Sequence, residues 1–304
     1  MPILVALLPD ILLILLGCAA RRRLSPEGWK AVDALSFHIL FPALIFWAAA
    51  RAPVTGADLA VIGAGTWLIM AAGLGLAWLI RPLGPERFLD FAGLWQTAWR
   101  FNTAIALVAA QVFPDPMRGY MAMAIGAAVP VANILAVAAL SRGNALGPGR
   151  MLRQILTNPF FLASLGGLAV SVSGITIPGA VGEMLGKLAA AAVPVALLSI
   201  GAAMNWRALA AMTPFSMLLN AIKLVLLPAL CLGLGRLAGM DDARLAALVL
   251  FAALPTASAA HVLASVFGAD RERVATLIAQ STLLACATLP AWMILLERGV
   301  LAPR

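Results

Sequence analysis

Acidic residues, histidines and cysteines are scarce in this chain: 13 Asp and Glu, two His and three Cys in 304 residues. No HExxH, no CxxC and no intramembrane aspartate pair occurs, so neither a metal-ligand cluster nor a dithiol motif is available. Cys18, Cys231 and Cys286 lie in separate apolar stretches and read as small packing residues rather than a disulfide framework. Charge of either sign is thin, at 11% against 63% hydrophobic residues, with a mean hydropathy of +0.99, which excludes a soluble globular domain. Strictly alternating segments of about ten residues are missing, which excludes the lumen-and-lipid pattern of a membrane barrel. The net charge of +8 is no nucleic-acid signal, because the basic residues sit in short breaks between apolar runs rather than on one face.

What is present is a series of apolar runs of about 20 residues, the length that crosses the hydrocarbon core as a helix. They predict ten spans: 3–20, 30–50, 58–80, 89–113, 117–140, 153–172, 180–203, 211–235, 243–268 and 272–297. The first run is followed, not preceded, by Arg21-Arg22-Arg23 and shows no small-residue cleavage motif, so it reads as a retained span rather than a signal peptide. The longest polar break, Ser141 to Arg153, joins two halves, 1–141 and 150–304.

The halves echo each other. Pro9 and Gly17 match Pro159 and Gly167, Pro42-Ala43-Leu44 matches Pro194-Val195-Ala196-Leu197, Arg81 with Gly84 matches Arg236 with Gly239, and Val112-Phe113 matches Val266-Phe267, at offsets of 150, 152, 155 and 154. With the N-terminus outside, twelve of the 21 Lys and Arg fall in inner loops, six outside and three within spans. The excess of basic residues on the cytoplasmic side predicts both termini on the outer, periplasmic face of the cytoplasmic membrane. Five spans per half is odd, so the second half enters upside down. The predicted fold is an all-α polytopic membrane protein of two inverted five-helix repeats.

Polar residues gather at one depth in spans four and nine. Gln96-Thr97-Ala98-Trp99-Arg100-Phe101-Asn102-Thr103 interrupts the fourth, placing Arg100 and Asn102 near the bilayer centre. The ninth carries Leu254-Pro255-Thr256-Ala257-Ser258, with His261 a turn later. Pro255 lacks an N–H and disfavours helix at Leu254, which gives that span a reason to break. The fourth has no proline, and its break follows from polarity and from the repeat. Half-helices starting near Thr103 and Ser258 would aim unpaired N–H groups and positive dipole ends at one small volume. Arg100 adds a cation with a fork suited to a carboxylate, and a central charge usually faces a partner or a cavity. The candidate binding residues are therefore Arg100, Asn102, Thr103, Pro255, Thr256 and Ser258. Lys223 in the eighth span and His261 are candidates for coupling substrate movement to charge or proton movement. Asp33 and His38 read as near-interface groups, and Glu183 with Lys187 as an i,i+4 contact.

The motifs Leu40-Phe41-Pro42-Ala43-Leu44-Ile45-Phe46, Arg100-Phe101-Asn102-Thr103, Asn158-Pro159-Phe160, Pro194 through Gly201, Lys223 through Pro228, Leu254-Pro255-Thr256-Ala257 and Ser281-Thr282-Leu283 occur in order along the chain. Together they resemble the auxin efflux carrier family, within the bile-acid, auxin and arsenite transporter superfamily. The resemblance implies crossing broken helices at spans four and nine. It also implies a scaffold of spans 1, 2, 6 and 7, often a dimer interface, beside a transport unit of spans 3–5 and 8–10. Family substrates are organic anions, auxin in plants and dicarboxylates such as malonate or malate in some bacterial members. Asn102 and Thr256 match the crossover positions nearest the substrate. Thr256 departs from the Asn typical of plant exporters, Phe101 stands where they have Pro, and their long cytoplasmic loop is absent, so auxin is not implied.

The reading is a secondary carrier of a small organic anion working by alternating access in the cytoplasmic membrane. Its partners are that anion, membrane lipid and a second copy through the scaffold, with no cofactor, metal or nucleic acid. An anion-binding receptor or sensor, or an intramembrane lipid-modifying enzyme, are the alternatives. An enzyme would need a nucleophile and base at one depth, for which only His38 and His261 are on hand.

Overall fold

The computed structural model describes residues 2–51, 56–111, 113, 116–143, 149, 153, 156, 157, 159–203, 210, 212–257 and 259–300. All regular structure among them is helical. The helices are α1 (Pro2–Ala20), α2 (Pro26–Arg51), α3 (Gly56–Leu79), α4 (Phe88–Trp95), α5 (Thr103–Gln111) and α6 (Met117–Gly143), then α7 (Pro159–Ser173), α8 (Gly179–Ala203), α9 (Pro214–Leu237), α10 (Asp242–Ala252), α11 (Ala259–Phe267) and α12 (Arg271–Gly299). Six of these, α2, α3, α6, α8, α9 and α12, contain stretches long and apolar enough to cross a membrane by themselves. Spans four and nine are not among them because each is split, into α4 with α5 and α10 with α11.

Local chemistry sets the ends. Ser25 caps α2, its Oγ accepting from the Gly28 N–H at 3.1 Å, with Pro26 at the first helical position, where a missing N–H costs nothing. Thr213 and Ser216 form a reciprocal capping box at α9. Asp241 and Asp270 cap α10 and α12 by accepting from Arg244 and Arg273 backbone N–H groups. Gly268, at φ 72°, terminates α11 in a left-handed conformation that a side chain would resist. Two helices widen into a π-turn just before a proline: Ser36–Leu40 ahead of Pro42, and Ile222–Leu226 ahead of Pro228. A proline inside a helix removes one N–H and crowds the carbonyl four residues back, and the wider turn relieves both.

One group of contacts joins α1 to α8, α2 to α7, and α2 to α8. Its closest approaches come at two glycines. A Cβ on Gly17 would overlap the Leu198 carbonyl oxygen, and one on Gly167 would sit 2.6 Å from the Phe46 carbonyl oxygen. Gly17 and Gly167 are matched positions of the sequence echo. Phe46 and Leu198 stand at the offset that relates Pro42 to Pro194, so one backbone contact occurs twice with its roles exchanged. The second group packs α3, α4, α6, α9, α10 and α12 together. Here every residue from Phe91 to Arg100 and from Leu245 to Thr256 is buried. Apolar residues all around α4 and α10 are what a helix enclosed by protein requires. That enclosure also lets the chain leave helical geometry, since irregular backbone in a membrane protein survives away from water only inside protein.

Candidate functional site

In the first broken span, α4 tightens into a 3-10 turn over Gln96–Ala98, and Trp99 turns away at φ −124°, ψ 10°. The chain then runs without helix to Asn102, which caps α5: its Oδ1 accepts from the Ile105 N–H at 3.2 Å. In the second, α10 ends at Ala252 and residues 254–257 are non-helical before α11 resumes at Ala259. Ala98 and Ala252 end the first arms 154 positions apart, the offset that aligns Phe101 with Pro255.

The two breaks meet and satisfy each other. The Asn102 N–H donates to the Pro255 carbonyl at 2.9 Å. The Thr256 hydroxyl donates to the Thr97 carbonyl at 2.8 Å, and the Gln96 amide to the Ala260 carbonyl at 3.2 Å. The Thr256 N–H donates to the Ser281 hydroxyl of α12 at 3.0 Å. Backbone groups freed by leaving the helix are thus paired across the crossing, which a buried break requires.

A cavity of 40 Å³ opens at this crossing, enough for about three waters or a carboxylate. Arg100, Phe101, Asn102 and Thr103 line one side, Ala257 and Ala259 another, α6 adds residues including Asn133, and Phe41 of α2 completes it. Arg100 is 4% exposed. Its Nη2 donates to Asn133 Oδ1 at 3.0 Å, while Nε and Nη1, and Asn133 Nδ2, meet no acceptor among the described residues. No carboxylate reaches ion-pair distance of Arg100 among those residues either. A buried charged donor left without an acceptor costs more than its hydrogen bond would return, so these donors call for an acceptor in the cavity, from water or from a ligand. The first turns of α5 and α11 bring positive dipole ends to the same walls.

The expected residues divide by what they do here. Arg100, Asn102 and Thr103 line the cavity; Pro255 and Thr256 hold the crossing together; Ser258 lies outside the described residues. His261 is not among the cavity residues, and its Nδ1 meets the Arg271 carbonyl at 3.1 Å. Lys223 is buried behind the cavity wall, its Nζ 2.9 Å from the centre of the Phe101 ring. Asp33 accepts a hydrogen bond from Ser199, joining α2 to α8. His38 Nδ1 meets the Ala34 carbonyl one turn back, and no ion pair forms between Glu183 and Lys187. Sequence reasoning passed over Asn133, whose signal is a lone carboxamide in the middle of an apolar span, and Phe41, which carries no polar signal at all.

Comparison with known proteins points to transport. Residues 148–293 match the family model described as "Membrane transport protein". A Rhizobium meliloti protein named "Putative malonate transporter" is 28% identical over 97% of this chain and 96% of its own length. A Methanothermobacter thermautotrophicus protein named "Uncharacterized transporter" is 27% identical over 94% of this chain and 96% of its own length. The matches are to transporters, not enzymes. With its apolar helices, the chain is a multi-pass integral membrane protein similar to membrane transport proteins of the auxin efflux carrier type.

Proposed function

We propose that this protein is a secondary carrier that moves a small carboxylate across the cytoplasmic membrane by alternating access, binding it at the helix crossing. The observation that carries the proposal is the set of unmet donors on Arg100 and Asn133, buried in a cavity bounded by two helix starts. That set fits a planar anion with several acceptor lone pairs, and a guanidinium fork matches a carboxylate best. The name of the Rhizobium relative points to malonate, which has this chemistry.

The chain forms ten spans as two inverted repeats, with α4/α5 and α10/α11 the broken pair, and both termini outside. The exchanged contacts of Gly17 with Leu198 and Gly167 with Phe46 support a twofold relation of the halves. Helices α1, α2, α7 and α8 form the scaffold, where a second copy docks, and the others form the moving unit. Phe41 reaches the cavity from the scaffold, so a shift of the moving unit against α2 changes what covers the site.

The test is flux. Purified protein in liposomes should accumulate or release labelled malonate, and the Arg100→Ala variant should not. Saturable binding without flux would make the protein a receptor instead.

A further inference from the structure

Lys223 has no role in the site as described above, yet its position is costly. It is 1% exposed, and no acceptor meets Nζ among the described residues. Its ammonium lies against the face of Phe101. An aromatic face attracts a cation but cannot accept its three N–H donors as carbonyls or carboxylates would. The residue sits inside the π-turn Ile222–Leu226, a distortion that re-aims side chains and is frequent at functional sites. A structural role is poorly served: Met or Leu would fill the same volume without an unpaired ammonium.

Phe101 lines the cavity with Arg100 and also carries the Lys223 ammonium over its ring. It belongs to the non-helical residues between the 3-10 turn and α5, so its side chain is free of the rotamer limits a helix imposes. Its ring centre lies 4.4 Å from that of Phe251. Rotation of the ring would join the ammonium to the cavity and set two cations around one ligand.

We infer that Lys223 is the charge-reading residue of this site: with Phe101 as the partition, it recognises the second negative group of a short dianion whose first carboxylate is held by Arg100. The inference rests on the anion-site reading above and assigns Lys223 to specificity rather than to coupling. A monoanion engages Arg100 and leaves the partition closed. A dianion draws the ammonium to its second carboxylate and gains a further charge-assisted hydrogen bond.

The experiment is calorimetric titration of the purified full chain with malonate and succinate as dianions and acetate and butyrate as monoanions. Wild type should prefer the dianions by about tenfold or more, the worth of one charge-assisted bond. Lys223→Met should bring the two classes within about twofold, leave the monoanions unchanged, and raise the ligand-free melting temperature by removing an unpaired charge. Lys223→Arg should restore the dianion preference. Equal weakening of both classes in Lys223→Met, or no change in either, overturns the assignment. Arg100→Gln separates the two claims. Loss of both anion classes there, with Lys223→Met unchanged, removes the charge reader and keeps the site; no effect in either variant removes both.

Discussion

Arg100→Met tests the site most directly, because the structure fixes what it removes. Three guanidinium nitrogens are buried; one is satisfied by Asn133, and two await an acceptor. A hydrogen bond to a charged group contributes about 1.5–3 kcal/mol, so losing the fork should weaken carboxylate binding by about 3 kcal/mol, on the order of a hundredfold. Arg100→Lys keeps the charge but not the planar fork, and should fall between, near tenfold. Without ligand the stability change should be small. Removing two unmet donors is favourable, leaving Asn133 Oδ1 unpaired is unfavourable, and each effect is worth about 1–3 kcal/mol. With ligand at a hundred times its dissociation constant, wild type gains about 2.7 kcal/mol and Arg100→Met almost nothing at that concentration. Calorimetric titration gives the first comparison, and melting with and without malonate gives the second. Arg100→Met that binds malonate as wild type does, with an unaltered fold, refutes the reasoning.

Thr256→Val removes the hydroxyl that joins the two breaks and leaves the Thr97 carbonyl buried without that partner, so stability should drop by about 1–3 kcal/mol, with Thr256→Ser restoring most of it in thermal melts. Asn102→Ala should cost about 1 kcal/mol through the lost cap of α5, and should weaken anion binding less than Arg100→Met does in the same titration. Gly17→Val and Gly167→Val should each lower the melting temperature, by overpacking α1 on α8 and α7 on α2, while Gly75→Ala, with open space around it, should not.

Six of the spans were legible because a membrane helix announces itself by length: the run predicted at 180–203 is the helix Gly179–Ala203, and that at 58–80 is Gly56–Leu79. Arg100 stood out because an arginine in an apolar run has few reasons to be there. The second break could be read from Pro255. The first was harder, since nothing between Gln96 and Thr103 forbids a helix; what holds it open is the Pro255 carbonyl, 153 residues further along the chain, taking the Asn102 N–H. Asn133 was hidden because a single carboxamide within a span reads equally as glue between helices, and only the position of Arg100 distinguishes the two. The partner of His261, the Arg271 carbonyl ten residues on, depends on how the turn between α11 and α12 folds, which composition does not encode.

The two broken spans share a position but not a chemistry. The first carries the cation, the capping Asn102 and the aromatic partition; the second carries a proline, a threonine that ties the crossing, and alanines that leave room at Ala257 and Ala259. Two copies of the first would set two central arginines against each other in a low-dielectric site, a repulsion that water could not screen. Two copies of the second would give a crossing with no charge to hold an anion. Both arms stop being helical at matched positions of the sequence echo, and the division of labour between them makes the cavity electropositive without setting two cations face to face. Lys223 fits the same logic: the second cation comes from α9, outside either break, and its ammonium lies over the ring of Phe101, which lines the cavity.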